Sequence, residues 1–199
     1  EGLSYTFCAL GGVQRMRGRY DLSQAYYQEA NTAMRKRGDA FGTAYSFCGL
    51  GNAARMCGDL KTALAFFHRA ERGYGRIGDK VSYAYTLWSL GTTHKSLGLL
   101  VQAAANFRRG ARLFRSTGDR RGLAYVELGL AEVAALRGHR SETLKRWKLS
   151  ARWARGFAWE VRHARAFKAL LSGKTGAARA AYADSGSRFQ PTSLPVAWP

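Results

Sequence analysis

The sequence predicts an all-α fold, a right-handed superhelical solenoid of antiparallel helix pairs. Two observations predict it. All three prolines lie in the last nine residues, so no proline interrupts a body rich in alanine, leucine, arginine and tyrosine. The chain also matches itself at a shift of 40 residues without an insertion. A fixed period of this length is typical of solenoids, in which each helix pair packs on its neighbours.

Glycine and aspartate mark the helix ends in each period. Gly-Asp pairs recur in step at 38, 78 and 118, and glycines also recur at 18, 58, 98 and 138. Glycine suits the position after a helix, and an aspartate side chain caps the first N–H groups of the next helix. In the third period these signals predict helix A over 80–97 and helix B over 99–116, joined by Gly98. Gly51 and Gly91 fall inside helices, where a missing side chain lets the partner helix approach closely.

A second pattern repeats inside the helices. In the second period an aromatic residue, Phe47, precedes Leu50-Gly51 by three residues, and Ala63 precedes the aromatic Phe67 by four. This pattern resembles that of the tetratricopeptide repeat family. The family's usual period is 34 residues with a proline at its end, and the longer form with Gly-Asp turns is similar to the adaptor repeats of Pins-type spindle-orientation proteins. The resemblance implies a helix-pair fold that binds other proteins.

The repeats divide the chain into three segments. We expect four full repeats over 1–157, a degenerate C-terminal capping repeat over 158–184 and an extended tail over 185–199. The capping repeat is predicted to begin with a helix over Ala164–Ser172. Because a solenoid needs polar caps and residue 1 coincides with a repeat start, we expect the native chain to continue upstream or a partner to cover the first helix. The tail is either a disordered terminus or a docking strand with apolar side chains at Phe189, Leu194 and Trp198.

No motif in the sequence predicts catalysis. Gly173-Lys174-Thr175 lacks the glycine that a phosphate-binding loop needs five residues earlier, since Lys168 stands there. The three cysteines have no disulfide-framework or metal-ligand spacing, and the four histidines occupy unrelated positions in their repeats. The carboxylates that are not predicted helix caps form no pair suited to acid–base chemistry. We therefore expect no enzymatic activity, no cofactor and no metal site.

The resemblance also implies where a partner binds. In this family helix A lines the concave groove that holds the ligand. Three rows of helix A residues are predicted to face this groove. The first is a tyrosine in each repeat, and the third is basic. The second contains Asn52, at a position where the family often uses asparagine to hydrogen-bond the main chain of a ligand. The equivalents of Asn52 are Gly12, Thr92 and Glu132. Trp88 is added to these rows. The predicted partner-binding residues are therefore Tyr5, Arg15, Tyr45, Asn52, Arg55, Tyr85, Trp88, Lys95 and Tyr125. The alternatives are that the tyrosines pack between repeats and that the basic row is a solvated face.

The charge balance indicates the chemistry of the partner. The chain has 32 basic and 13 acidic residues, a net charge of +19. Such a protein attracts acidic partners. We therefore expect a non-catalytic scaffold or adaptor that binds an acidic segment of another protein in the groove, held mainly by Arg15, Arg55 and Lys95. With neither a run of 18 apolar residues nor a visible signal peptide, the cytoplasm is the expected compartment.

Two other functions fit the sequence. The repeats could form the sensory or regulatory arm of a larger signalling or transcription protein. Alternatively, the C-terminal half could associate with nucleic acid or another anionic surface, since residues 140–168 contain nine basic side chains interleaved with tryptophan and phenylalanine.

Overall fold

The structure is a computed structural model that describes residues 2–174, 176–178 and 180. The chain forms two compact units, residues 1–93 and 94–199, and the boundary falls within one helix. The described residues contain helices joined by short turns and no strand, which confirms the predicted all-α class. The helices are α1 (Gly2–Met16), α2 (Tyr20–Lys36), α3 (Ala40–Met56), α4 (Leu60–Ile77), α5 (Lys80–Ser96), α6 (Leu100–Thr117), α7 (Arg120–Leu136), α8 (Arg140–Trp153) and α9 (Ala158–Leu171).

Local signals place the helix ends where the sequence predicts them. The seven glycines that recur between the helices have φ values from 68° to 86°, a conformation that glycine adopts without a steric penalty. Asp39 and Asp119 each accept a hydrogen bond from the backbone N–H three residues later, at 2.7 Å. Asp59 accepts the same bond at 3.0 Å. The third helix pair, Lys80–Ser96 and Leu100–Thr117, agrees with the prediction to within one residue at each end.

Glycine and aromatic side chains interlock the helix pairs of the first unit. A Cβ atom on Gly51 would lie 2.7 Å from the ring of Phe67, which is fully buried. Tyr27 lies between two glycines, because a Cβ atom would approach its ring to 2.8 Å from Gly11 of its own pair and to 2.1 Å from Gly49 of the next. The aromatic residue of helix B therefore occupies space that glycine leaves on the A helices.

The last helix pair departs from the 40-residue period. Helix α8 has 14 residues, and α9 begins at Ala158, which is 38 residues after the start of α7 at Arg120. The prediction that this helix starts at Ala164 is therefore wrong by six residues. Gly156, with a φ of 95°, and Phe157 take the places of the Gly-Asp pair, and the side chain of Phe157 makes no capping hydrogen bond.

The predicted segments overlap only in part with the residues that the structure describes. The two compact units meet at residues 93 and 94, whereas the sequence predicts a boundary after residue 157. The assignment of 158–184 as a capping repeat stays a prediction, and most of its second helix lies outside the described residues. The predicted tail, 185–199, lies wholly outside them.

Candidate partner-binding site

The tyrosines predicted to contact a partner lie on A helices. In the first unit Tyr5 is 40% exposed on α1 and Tyr45 is 43% exposed on α3. The hydroxyl of Tyr5 donates a hydrogen bond to Oδ2 of Asp39 at 3.0 Å. The ring of Tyr45 stacks on Phe41 with their centroids 6.3 Å apart, and burial raises the pKa of its hydroxyl. Each ring therefore has one side on the protein and another in solvent.

Tyr125, the last tyrosine of the predicted row, supports the alternative that these tyrosines pack between repeats. In the second unit the hydroxyl of Tyr125 donates to Oε1 of Glu160 at 2.5 Å, and Nε of Arg121 donates to the same oxygen at 2.6 Å. Burial, followed by the hydrogen bond to Glu160, raises the pKa of Tyr125. This residue ties α7 to α9. Tyr85 and Trp88 lie half-buried on the first-unit part of α5.

Asn52 makes hydrogen bonds within its own helix. Its Nδ2 donates to the backbone oxygen of Cys48 at 3.0 Å. Its Oδ1 accepts from Nη2 of Arg55 at 3.3 Å. A ligand that uses this amide would therefore compete with both contacts, and the present arrangement holds Arg55 in place instead.

Arg15 and Arg55 bring two positive charges close together on α1 and α3. Burial, and after it the charge of Arg15, lower the pKa of Arg55 to about 10. Within the described part of the chain, Nε of Arg15 and Oε1 of Gln14 are buried and accept or donate no hydrogen bond. Like charges in a partly desolvated place repel each other, so this arrangement favours an anion.

Lys95, the third residue of the predicted basic row, already has an anionic partner. It is only 7% exposed in the second unit, and its Nζ forms an ion pair with the carboxylate of Glu132, which is 9% exposed. The charge of Lys95 is therefore already paired within the protein, and the predicted contact with a ligand would have to displace Glu132. Sequence reasoning placed Glu132 in the row of Asn52 but did not connect it with Lys95.

Other acidic residues of the second unit are also neutralised internally, which sequence reasoning missed. The buried carboxylate of Glu127 accepts from Arg115 at 3.2 Å and from Arg146 at 2.9 Å. Arg146 also donates to Glu142 at 2.6 Å. Of these contacts, only the Glu142–Arg146 pair has a local signal, because residues four apart face each other on a helix.

The aromatic residues of the basic C-terminal stretch serve partly in packing. Nε1 of Trp147 donates to the backbone oxygen of Ala164 at 2.8 Å, and Nζ of Lys168 lies 5.1 Å from the centre of its ring. The outer side of α8 carries exposed basic residues beside a half-exposed leucine. They are Lys145, Lys148 and Arg152, with Leu144.

The described residues form neither a metal-binding cluster nor a membrane-spanning helix. Among residues 2–174, 176–178 and 180, no three histidine, cysteine or acidic side chains come together in a way that could hold a metal ion. Within the same ranges, none of the helices combines the length and apolar character needed to span a bilayer.

The fold is similar to solved structures, although no protein-family model and no curated protein matches the sequence. One is a Rap protein complexed with competence and sporulation factor, at a TM-score of 0.82 and 13% identity over 90% of this chain and 51% of that one. Another is aspartyl phosphate phosphatase F from Bacillus subtilis, at a TM-score of 0.79 and 14% identity over 91% and 48%. The chain thus spans about half the length of these proteins. At this level of identity the similarity concerns the fold, which is an all-α, tetratricopeptide-like array of helix pairs.

Proposed function

We propose that the chain is a non-catalytic interaction scaffold that binds a segment of a partner protein along the A helices of its first unit. The observation that carries the proposal is the pair of close arginines, Arg15 and Arg55, on the same helices as the half-exposed tyrosines Tyr5 and Tyr45. The structural neighbour that binds competence and sporulation factor supports a role in binding. The proposed contact residues are Tyr5, Arg15, Tyr45, Asn52, Arg55, Tyr85 and Trp88.

The chemistry of these side chains sets their roles. A tyrosine ring offers a large contact area with a polar tip and loses little conformational entropy on binding. The two guanidinium groups favour carboxylates, which supports an acidic segment as the ligand. Lys95 and Tyr125 are left out of the contact set because Glu132 and Glu160 already bind them.

Three finer points belong to the same proposal. We place the repeats in the Pins-type adaptor form because the 40-residue period and its Gly-Asp turns resemble that form. We place the protein in the cytoplasm, a reducing compartment, since its three cysteines are free.

We also propose that it performs no catalysis, although one structural neighbour is described as an aspartyl phosphate phosphatase. Incubation with an aspartyl-phosphate protein would test the last point, because faster loss of the phosphoryl group would contradict it.

A regulatory arm of a larger protein is a second function of the same surface. The chain covers about half of each structural neighbour, and a regulator needs an output domain attached to its repeats. The mass of the native protein distinguishes this function from that of a free-standing adaptor.

Association with nucleic acid is favoured by a different surface, the exposed basic row on α8 formed by Lys145, Lys148 and Arg152. Phosphate contacts make the logarithm of affinity fall linearly and steeply with the logarithm of salt concentration. A steep slope that is lost in Lys148→Ser/Arg152→Ser would support this alternative.

The scaffold proposal is tested by partner capture followed by affinity measurement. Proteins retained by the immobilised chain are identified, and the affinity of the main partner is measured for wild type and for Arg15→Ser/Arg55→Ser. Partly exposed contacts contribute about 0.5–1 kcal/mol each, so we expect the double variant to bind roughly five- to thirtyfold more weakly. Lys148→Ser/Arg152→Ser removes the same charge from the outer side of α8 and should keep the affinity. The opposite pattern would overturn the proposal.

A further inference from the structure

The turn between α5 and α6 carries three exposed aliphatic side chains. Leu97 is 42% exposed, Leu99 is 41% exposed and Val101 is 70% exposed. One exposed leucine is ordinary on a protein surface, but three on a single tight turn form an apolar patch. The other helix pairs have charged, polar or small side chains at the equivalent positions. They are Arg17, Arg19 and Asp21 in the first pair, Cys57, Asp59 and Lys61 in the second, and Arg137, His139 and Ser141 in the fourth.

The backbone of the apolar turn pairs its own N–H groups. Those of Leu97 and Leu99 donate to the backbone oxygen of His94, at 3.1 Å and 2.9 Å. The N–H group of Leu100 donates to the backbone oxygen of Gly98 at 2.9 Å. A turn whose N–H groups are paired in this way can enter an apolar medium without the penalty for an unpaired donor.

Leu99 stands at a position where leucine does not help the helix. It is the N-cap of α6, and its side chain makes no capping hydrogen bond. At the equivalent position of α4, Asp59 accepts a hydrogen bond from the N–H group of Thr62 at 3.0 Å. Leucine is among the poorest N-cap residues. Helix stability therefore does not account for this exposed leucine, which favours a role in contacts outside the fold.

Basic side chains lie beside the apolar turn. The ion pair of Lys95 with Glu132 joins the last turn of α5 to α7, so the turns that follow these two helices leave the second unit side by side. The sequence 137–148 contains one acid, Glu142, and its carboxylate accepts a hydrogen bond from Arg146. The same sequence has four exposed cations, which are Arg137, Arg140, Lys145 and Lys148. The apolar patch therefore has a positively charged border.

We propose that the turn between α5 and α6 docks the protein on an anionic lipid bilayer. Leu97, Leu99 and Val101 enter the headgroup layer, and the basic side chains that follow α7 bind the anionic headgroups. Apolar side chains gain free energy where headgroups meet acyl chains, and each basic residue close to an anionic surface adds to the attraction. The inference is independent of the scaffold proposed for the A helices of the first unit.

Two other occupants fit these features less well. Nucleic acid offers phosphates to the basic border, but its bases stack on aromatic side chains and give three aliphatic side chains no apolar layer to enter. A second copy of the chain would bring its own net charge of +19 to the contact, and like charges repel. An anionic bilayer suits both the apolar patch and its charged border.

The apolar contact is tested by flotation of the full chain with lipid vesicles. The vesicles are phosphatidylcholine, alone or with about one third phosphatidylserine. We expect Leu99→Ser/Val101→Gln to bind the anionic vesicles about tenfold more weakly than wild type, because apolar contacts are lost while the charge is unchanged. The control Ile77→Ser/Val81→Gln replaces two side chains of similar exposure, 40% and 41%, beside the turn between α4 and α5. It should change vesicle binding less than about twofold.

The basic border is tested in the same assay. We expect Arg137→Gln/Arg140→Gln to weaken binding to the anionic vesicles about tenfold, and wild type to bind neutral vesicles at least about tenfold more weakly than anionic ones. Arg35→Gln/Lys36→Gln removes the same charge from exposed positions of α2 and should change binding less than about twofold. Glycerophosphoserine, which has the headgroup without the acyl chains, should not compete with the vesicles.

Several results would overturn the inference. Equal vesicle binding by wild type and Leu99→Ser/Val101→Gln would assign the surface to phosphates in general, nucleic acid among them. A concentration-dependent dimer that the same substitutions abolish would assign the turn to a second copy. If circular dichroism shows that the double variant is not folded, Val101→Gln replaces it, since this side chain is the most exposed of the three. Unchanged vesicle binding by Val101→Gln would then contradict docking. Vesicles contain no protein, so these failures are distinct from failure of the partner-capture test.

Discussion

At the scale of residues, Phe67 fills the space that Gly51 leaves on α3, and a single added carbon atom would disturb this contact. A Cβ atom on Gly51 would lie 2.7 Å from the Phe67 ring, which is fully buried and cannot move aside freely. We predict that Gly51→Ala lowers the free energy of unfolding by about 1–3 kcal/mol through overpacking. Urea denaturation followed by circular dichroism measures the change.

Gly75→Ala is the matched control for this prediction. Gly75 is exposed inside α4, and a Cβ atom there would meet Tyr83 at 3.5 Å, an ordinary contact. Alanine favours a helix interior over glycine, so this variant should gain about 0.5–1 kcal/mol. If Gly51→Ala is stabilised to the same degree, the glycine does not mark a close approach.

The buried pair of Lys95 and Glu132 supports a second prediction at this scale. Replacing Lys95 with methionine leaves the carboxylate of Glu132 buried without its cation. We expect a loss of about 3–5 kcal/mol of unfolding free energy in Lys95→Met, and recovery of most of it in Lys95→Met/Glu132→Leu. Thermal and urea unfolding of the single and double variants measure both quantities.

Arg115→Gln provides the comparison for an exposed ion pair. The Arg115 side chain is 56% exposed, and Glu127 keeps Arg146 as a partner at 2.9 Å after the substitution. Its cost should stay below about 1 kcal/mol. Equal losses in Lys95→Met and Arg115→Gln would show that burial of the Lys95 pair contributes nothing extra.

The sequence predicts residues such as the helix caps well, and pairs such as Lys95–Glu132 poorly. Asp39 caps a backbone N–H three residues away, so the signal lies within one turn of chain. The ion pair joins two A helices across 37 residues, and each partner alone looks like an ordinary member of its row. Only the three-dimensional stacking of helices brings the two rows together.

At the scale of elements, Glu160 attaches α9 to α7. Its carboxylate accepts hydrogen bonds from Tyr125 at 2.5 Å and from Arg121 at 2.6 Å. Burial acts to raise the pKa of Glu160, but these two hydrogen bonds, a backbone hydrogen bond and the charge of Arg121 together hold the pKa below its ordinary value. The ionised form is therefore the one that stabilises the fold.

The expected pH dependence follows from the sign of this shift. Because the folded pKa lies below the unfolded value of about 4.3, the contribution of Glu160 is complete above that pH and is lost as the pH falls through the folded value. We predict that Glu160→Gln costs about 1–3 kcal/mol at neutral pH, and that its difference from wild type shrinks under acid conditions. Urea unfolding at a series of pH values measures the difference.

Glu142→Gln serves as the control for Glu160→Gln. The hydrogen bond from Arg146 lowers the pKa of Glu142, but the Glu142 side chain is 40% exposed. Its loss should cost no more than about 1 kcal/mol at neutral pH. A constant difference between Glu160→Gln and wild type across the acid range would contradict the assigned role of the Glu160 charge.

The elements were predictable wherever the repeat is regular. The bounds of α5 and α6 agree with the prediction because Gly98 and the Gly-Asp turns at 78 and 118 stand in register. The start of α9 was missed because Gly156-Phe157 replaces the Gly-Asp pair two residues early. Phenylalanine carries no capping signal, so nothing local marks this helix start.

At the scale of the whole molecule, the basic side chains outnumber the carboxylates that can pair with them. Many of the 13 carboxylates serve as caps or bind arginine and lysine, as Asp39 and Glu127 do. Among the described residues few carboxylates are exposed, Asp21 and Glu29 among them, so most of the exposed charges there are positive. We predict that the association rate with the captured acidic partner falls about tenfold or more between low salt and about 0.5 M salt, because screening shortens the reach of the field. Stopped-flow fluorescence measures the rate, and a rate independent of salt would contradict steering.

The interlock between aromatic rings and glycines also decides how this chain could gain or lose repeats during evolution. A deletion of residues 80–119 keeps the period and brings Phe67 opposite Gly129, which already leaves room for a phenylalanine, since a Cβ atom there would lie 2.6 Å from Phe107. A deletion of residues 40–79 also keeps the period, but it brings Tyr27 opposite Ser89 in place of Gly49, where a Cβ atom would come within 2.1 Å of the tyrosine ring. Repeats that are equivalent in length are therefore not equivalent as units of recombination, and a viable exchange must keep Tyr27 with Gly49 and Phe107 with Gly129.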